Sequence, residues 1–257
     1  MTYNPAGAAE TGFAGFGNYR SIFFGEYSFF WKSLQLTVLY TILTVSLEFG
    51  IGLFLALLLA KDIRGRRLFR SIFILPLTIA PAIVALIFRY MFNDDYGVIN
   101  FFGRLVGLNR NIPWLISRKT ALISIAIADI WQFTPFCFLI LLAGILSLPK
   151  EPYESSLLEG ASRLLVFRKI TLPLLKPVIA VVLLFRIIDS FNTFDKVFVL
   201  TRGGPVQASE VLGMSVYKTG LMNLHVGEGA AISWIMLILM MLMSSYFIKF
   251  FFKKESR

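Results

Sequence analysis

Residues 120–146 read TALISIAIADIWQFTPFCFLILLAGIL. A helix needs about 20 mainly apolar residues to cross the hydrocarbon core of a bilayer. This stretch exceeds that length and carries a single charged side chain, Asp129. Four further stretches have the same character: 33–60, SLQLTVLYTILTVSLEFGIGLFLALLLA; 69–92, FRSIFILPLTIAPAIVALIFRYMF; 174–200, LLKPVIAVVLLFRIIDSFNTFDKVFVL; and 230–252, AAISWIMLILMMLMSSYFIKFFF. In lipid every backbone amide must be bonded within its own segment, so the helix is the spanning form available to an open chain. A barrel would show alternating segments of about ten residues, and none is present. The sequence predicts an all-α, polytopic transmembrane bundle of five spans.

Composition agrees. Of the 257 residues, 57% are hydrophobic, and mean hydropathy is +0.74. A soluble domain is about 45–50% apolar. The net charge of +10 would suggest nucleic acid in a soluble protein. Here no basic face with interleaved aromatics occurs, and Lys and Arg gather between the apolar blocks. Segment 61–70, KDIRGRRLFR, carries five basic residues; segment 147–173 carries Lys150, Arg163, Arg168 and Lys169; the tail carries Lys253, Lys254 and Arg257. By the positive-inside rule these three regions are cytoplasmic. The N-terminal tail, 93–119 and 201–229 then lie outside, although 93–119 has four basic residues of its own. Residues 1–32 hold no apolar run able to export them and no signal peptide. The expectation is either a tail translocated by the first span or an upstream helix missing from this chain.

Cys137 is the only cysteine and His225 the only histidine. An intrachain disulfide is impossible, and the two residues make no metal site. There is no Ser-His-Asp set and no paired carboxylate on a soluble face, so the sequence offers no enzyme chemistry.

The cytoplasmic segment 147–173 reads SLPKEPYESSLLEGASRLLVFRKITLP. Pro149 and Pro152 suit a helix start. Leu157, Leu158, Ala161, Leu164 and Leu165 recur near helical spacing, which predicts a short helix over 153–165. Gly160 falls inside it, where glycine costs about 1 kcal/mol against alanine but lets another surface approach closely. An ordinary connector packing on its own helix ends is the alternative.

Glu154-Ser155-Ser156, three residues, Gly160, nine residues and Ile170-x-Leu172-Pro173 resembles the EAA loop of ABC importer permeases, whose pattern is Glu-Ala-Ala, three residues, Gly, nine residues, Ile-x-Leu-Pro. Serine replaces both alanines, and Glu159 stands where many sugar permeases have Asp. The segments AGFGNYRSIF at 14–23, DYGVIN at 95–100 and FDKVFVLTRGGP at 194–205 are similar to segments of the maltose-type sugar subfamily. The resemblance covers nearly the whole chain as one transmembrane domain, 1–257. Such permeases usually have six spans, with a further helix before the Asn-Tyr segment, so the resemblance implies either a five-span version or a chain truncated at its start.

The resemblance implies a coupling helix, with Glu154, Ser155, Ser156, Glu159, Gly160, Ala161, Ile170, Leu172 and Pro173 contacting a separate ATP-binding cassette subunit. That partner would use ATP and Mg; this chain has no G-x-x-x-x-G-K-[ST] phosphate loop. It further implies a second, homologous permease, an extracytoplasmic solute-binding protein, and residence in the inner membrane of a bacterium or archaeon.

Polar residues inside the spans are the candidates for the solute pathway. A charge at mid-bilayer costs about 2.5–3.5 kcal/mol and usually faces the bundle interior. Drawn as one helix, 174–200 puts Arg186, Asp189, Ser190, Thr193 and Lys196 within about 120° of one face, with Asn192 at its border. Arg186 and Asp189 can pair at i,i+3. This stripe suits a polar wall for a hydroxylated solute, or an internal ion pair that fixes packing; Lys196 can also snorkel outward. Asp195 points away from the stripe. On 120–146, Trp131 and Gln132 suit a sugar ring or plain packing, and Pro135 a kink. Glu48 can pair with Arg186 or Arg89, as a pathway residue or as a brace. Pro76 and Pro81 should bend the second span. An ion-coupled secondary transporter working through Glu48, Asp129 and Asp189 is the competing function, although no internal repeat supports it.

Overall fold

The computed structural model describes residues 15–25, 29–60, 66–107 and 111–252. Lys61, Arg64, Lys253, Lys254 and Arg257, on which part of the charge reading rests, lie outside the described residues, as does Ala14 of the 14–23 segment.

The elements run α1 (Gly17–Phe24), α2 (Phe30–Leu59), α3 (Arg66–Thr78), α4 (Pro81–Met91), α5 (Val98–Leu105), α6 (Ala121–Leu146), α7 (Glu151–Leu158), α8 (Arg163–Val166), a π-helical turn at Phe167–Thr171, α9 (Leu172–Phe191), α10 (Asp195–Leu200), α11 (Leu212–Tyr217), a second π-helical turn at Lys218–Met222, and α12 (Val226–Phe252). No strand occurs among the described residues. Four stretches are long and apolar enough to cross a bilayer: α2, α6, the run Arg163–Phe191 and α12. The fifth expected span is a bent pair, α3 and α4, broken at Ile79–Ala80. Its prolines explain the break: Pro76 lies inside α3, and Pro81 occupies the first turn of α4, where a missing N–H costs nothing.

The fourth expected span is corrected. The helix does not reach residue 200 but ends at Phe191, and α10 starts afresh at Asp195. Backbone N–H groups of Asn192 and Thr193 turn to the carbonyls three residues back. A Cβ on Gly213 would come within 2.8 Å of the Thr193 carbonyl oxygen, so the missing side chain lets that carbonyl pack closely. The wheel joining Arg186 to Lys196 therefore does not exist.

The chain divides into two compact units. One comprises Val45–Thr78, Ile130–Ile188 and Met243–Arg257. It holds the described parts of 61–70 and 147–173, two of the regions that the charge pattern assigns to the cytoplasm. Its core is Ala56, Leu59, Cys137, Phe138, Leu141, Leu142, Leu175, Ile179 and Val182. Lipid is as apolar as leucine, so close packing rather than water exclusion holds such helices together. Glycines set that packing: a Cβ on Gly52 would sit 2.7 Å from the Cys137 Cβ, and one on Gly144 would sit 2.8 Å from a Val178 methyl.

The other unit comprises Met1–Thr44, Ile79–Asp129 and Asp189–Leu242, and includes the regions assigned to the outside. Two of the sequence motifs act here as scaffolds. In the 93–114 loop, buried Asn100 accepts from the Ile112 N–H and the Trp114 indole, and its amide donates to the Ile112 carbonyl. In the LTRGGP loop, Thr201 Oγ1 and Ser209 Oγ lie 2.8 Å apart, and Ser209 donates to the Gly204 carbonyl. The Leu212 N–H donates to Thr37 Oγ1, and Thr44 Oγ1 meets Ser190 Oγ at 2.8 Å.

Candidate functional site

The connector after α6 is a folded helical turn. Pro152 and two acidic residues, Glu151 and Glu154, occupy the first turn of α7, where negative charge complements the helix dipole. The expected single helix over 153–165 is corrected, because α7 stops at Leu158. Gly160 adopts φ +69°, a left-handed conformation that glycine tolerates best. The Gly160 N–H bonds the Leu157 carbonyl and the Ala161 N–H bonds the Ser156 carbonyl, which is the Schellman ending of a helix. Gly160 is thus a cap that reverses the chain; a Cβ there would meet nothing within 4 Å. Ser162 then caps α8 by accepting from the Leu165 N–H. Across the turn, the Tyr153 hydroxyl donates to Thr171 Oγ1 at 3.1 Å. The π-helical turn at Phe167–Thr171 includes Ile170 and leads into Leu172 and Pro173.

The turn buries polar groups on its inner side and exposes leucines on its outer side. Ser156 and Thr171 are buried. Leu158 is 92% exposed and Leu157 74%, with Leu164 and Leu165 also exposed. Glu154, Ser155 and Glu159 are exposed beside them, Ala161, Ile170 and Leu172 are half-buried, and Pro173 is exposed. Exposed leucines of this kind are a common feature of interaction surfaces.

Four of the intramembrane charges form two buried ion pairs. Within the Val45–Thr78 unit, Arg186 Nε donates to Glu48 Oε2 at 2.6 Å and Nη2 to Oε1 at 2.9 Å. Both side chains are buried, and the guanidinium lies 4.0 Å from the Phe133 ring centroid. This is a bidentate pair with a cation–π contact. In the other unit, Lys196 Nζ donates to Asp129 Oδ1 at 2.6 Å, with both side chains again buried. Lys196 therefore does not snorkel outward.

The remaining pathway candidates are dispersed. Gln132 is buried, whereas its neighbour Trp131 is 43% exposed. Asp189 and Asn192 are exposed and Thr193 is half-buried. Asp195 is exposed in the first turn of α10, where its charge suits the helix dipole. Sequence reasoning missed the Lys196–Asp129 pairing and the Phe133 contact. It also missed a pair in which Lys218 donates to Glu210 Oε2, on the segment after the LTRGGP loop. Among the described residues no cluster of His, Cys, Asp or Glu could hold a metal ion.

Residues 48–254 match the family model described as binding-protein-dependent transport system inner membrane component. The chain belongs to this family: it is a multi-pass permease component related to ABC importers, a transport subunit rather than an enzyme. It is 38% identical over 237 residues to the probable ABC transporter permease protein y4oQ of Sinorhizobium fredii, covering 92% of this chain and 75% of that protein. It is 37% identical over 243 residues to the trehalose/maltose transport system permease protein MalF of Thermococcus litoralis, covering 93% and 80%. A solved bacterial ABC transporter involved in the import of the acidic polysaccharide alginate has the same fold, with TM-score 0.85 at 23% identity over 96% of this chain and 86% of that one.

Proposed function

We propose that this chain, as a single transmembrane domain over 1–257, is one of two homologous permease subunits of an ATP-driven importer of the maltose type. Its solute is a sugar or a related polyol, delivered by an extracytoplasmic binding protein. ATP and Mg belong to a separate ATP-binding cassette subunit, against which the α7 turn docks. The observation that carries this reading is the exposed leucine surface on a capped turn whose residues follow the EAA spacing. A turn held by Schellman and Ser162 caps and by the Tyr153–Thr171 bond transmits force from a partner without melting. Support for sugar comes from the DYGVIN and FDKVFVLTRGGP segments and from the named solutes of the Thermococcus relative.

Glu48 and Arg186 are proposed to brace the pathway, with Asp189, Asn192, Thr193, Trp131 and Gln132 as candidate wall residues. An ion-coupled carrier finds less support, because Glu48 and Asp129 are each held by a cation.

The test is Leu158→Glu in the reconstituted complex. A charge on this leucine leaves membrane insertion intact. Burying it in an apolar cleft costs a few kcal/mol, so binding-protein-stimulated ATP hydrolysis and uptake should fall at least about tenfold. Unchanged uptake would refute the docking role.

A further inference from the structure

In the unit that contains the outer loops, α1, the start of α2, the segment after the LTRGGP loop, the second π-helical turn and the start of α12 enclose a cavity of about 500 Å³. Its lining is mostly polar side chains drawn from parts of the chain far apart in sequence. Ser21 donates to Glu228 Oε1 at 2.8 Å, and His225 Nδ1 lies 3.4 Å from Glu228 Oε2. Lys218 donates to Glu210, whose side chain is 7% exposed. Gln207 and Asn223 bring primary amides, and the 47% exposed Phe29 ring brings an apolar face.

The backbone around this cavity is unusual. Lys218 and Thr219 sit on the π-helical turn, a geometry frequent at functional sites. Among the described residues four non-glycine residues have positive φ; of these Gln207, at 58°, lines the cavity, and Leu224, at 61°, lies between lining residues Asn223 and His225. Such conformations are strained for residues with side chains and cluster at ligand clamps.

From this geometry we infer a second solute site on the outer side of the permease, separate from the buried ion pairs, that takes a neutral polyhydroxylated molecule of mono- to disaccharide size. Lys218 and His225 each already face a carboxylate, Glu210 and Glu228, so an anionic ligand finds little positive charge left to bind it. Each carboxylate accepts from hydroxyls, and the two amides both donate and accept. The volume is within the range of small-molecule pockets. Placement on the outer side, and the choice of sugar, rest on the import reading above. The role is a waystation where solute leaving the binding protein is held before it enters the bundle.

Asn223→Cys provides the test, since the native Cys137 is buried and gives a low background. Thr219→Cys is a second reporter of the same cavity. Each is placed in the full reconstituted complex without binding protein, and mixed-disulfide formation with a charged methanethiosulfonate is timed with trehalose, maltose, sorbitol or glucose 6-phosphate present. At least one neutral compound should slow both reporters severalfold, glucose 6-phosphate should not, and Gln207→Leu should raise the half-protecting concentration about fivefold. No protection by any neutral compound, or equal protection by the phosphate, overturns the assignment. ATP-driven uptake in the same vesicles is scored separately. Uptake of sugar with unprotected reporters removes only this site; protected reporters in a complex that cannot couple ATP to uptake remove only the import reading.

Discussion

Consider the loss of one partner of the Glu48–Arg186 pair. Both Glu48 oxygens accept from the guanidinium, at 2.6 and 2.9 Å, in a site where the two side chains are 0% and 2% exposed. Arg186→Met keeps most of the side-chain volume but leaves the carboxylate without the cation that neutralises it. Breaking a buried pair in this way costs about 3–5 kcal/mol, in line with the roughly 2.5–3.5 kcal/mol charged to one ion at mid-bilayer. Loss of the Phe133 contact at 4.0 Å adds about 0.5–2 kcal/mol. Glu48→Leu should cost a similar amount by stranding the arginine. The double variant should recover much of the loss, because an apolar pair of similar size replaces a buried ion pair at little net cost. Unfolding in mixed micelles of mild detergent and SDS, followed by tryptophan fluorescence, completes the double-mutant cycle. A coupling energy of at least about 2 kcal/mol is expected. Single losses below about 1 kcal/mol, or a double loss equal to the sum, would refute the reasoning.

Other substitutions separate local geometry from contact. Gly160→Ala places a Cβ in open space, so its whole cost, about 1–2 kcal/mol, is the left-handed backbone. Hydrogen exchange over 157–166 should quicken, and Gly160→Asn should be milder. Gly52→Val should overpack the site facing Cys137 and Phe138 by about 1–3 kcal/mol in the same unfolding assay; a neutral result would mean that these helices are not in close contact.

The spans were legible because lipid leaves helices no alternative. The apolar stretches 33–60, 120–146 and 230–252 appear as Phe30–Leu59, Ala121–Leu146 and Val226–Phe252. The bend in 69–92 was legible from Pro76 and Pro81. The end of α9 was not, because it depends on Gly213, some twenty residues on, admitting the Thr193 carbonyl. With the helix broken there, Lys196 is carried off the Arg186 face and onto Asp129, a partner no helical wheel could supply. Gly160 was recognisable as special, but its left-handed backbone, at φ +69°, was not legible, because it is set by the Schellman ending of α7. The outer cavity left little trace in sequence, since Ser21, Glu210 and Glu228 come together only through the fold.

The central claim is that the capped turn around Leu158 is the surface pressed by an ATP-hydrolysing partner. Cross-linking from Leu158→Cys with a short maleimide–benzophenone photoreagent, in inside-out membrane vesicles from its host, tests it most directly. The account predicts one adduct joining this chain to a nucleotide-hydrolysing subunit, formed only when reagent reaches the cytoplasmic face. Labelling of the same cysteine from outside intact cells, or a complex that yields no such adduct, would contradict it.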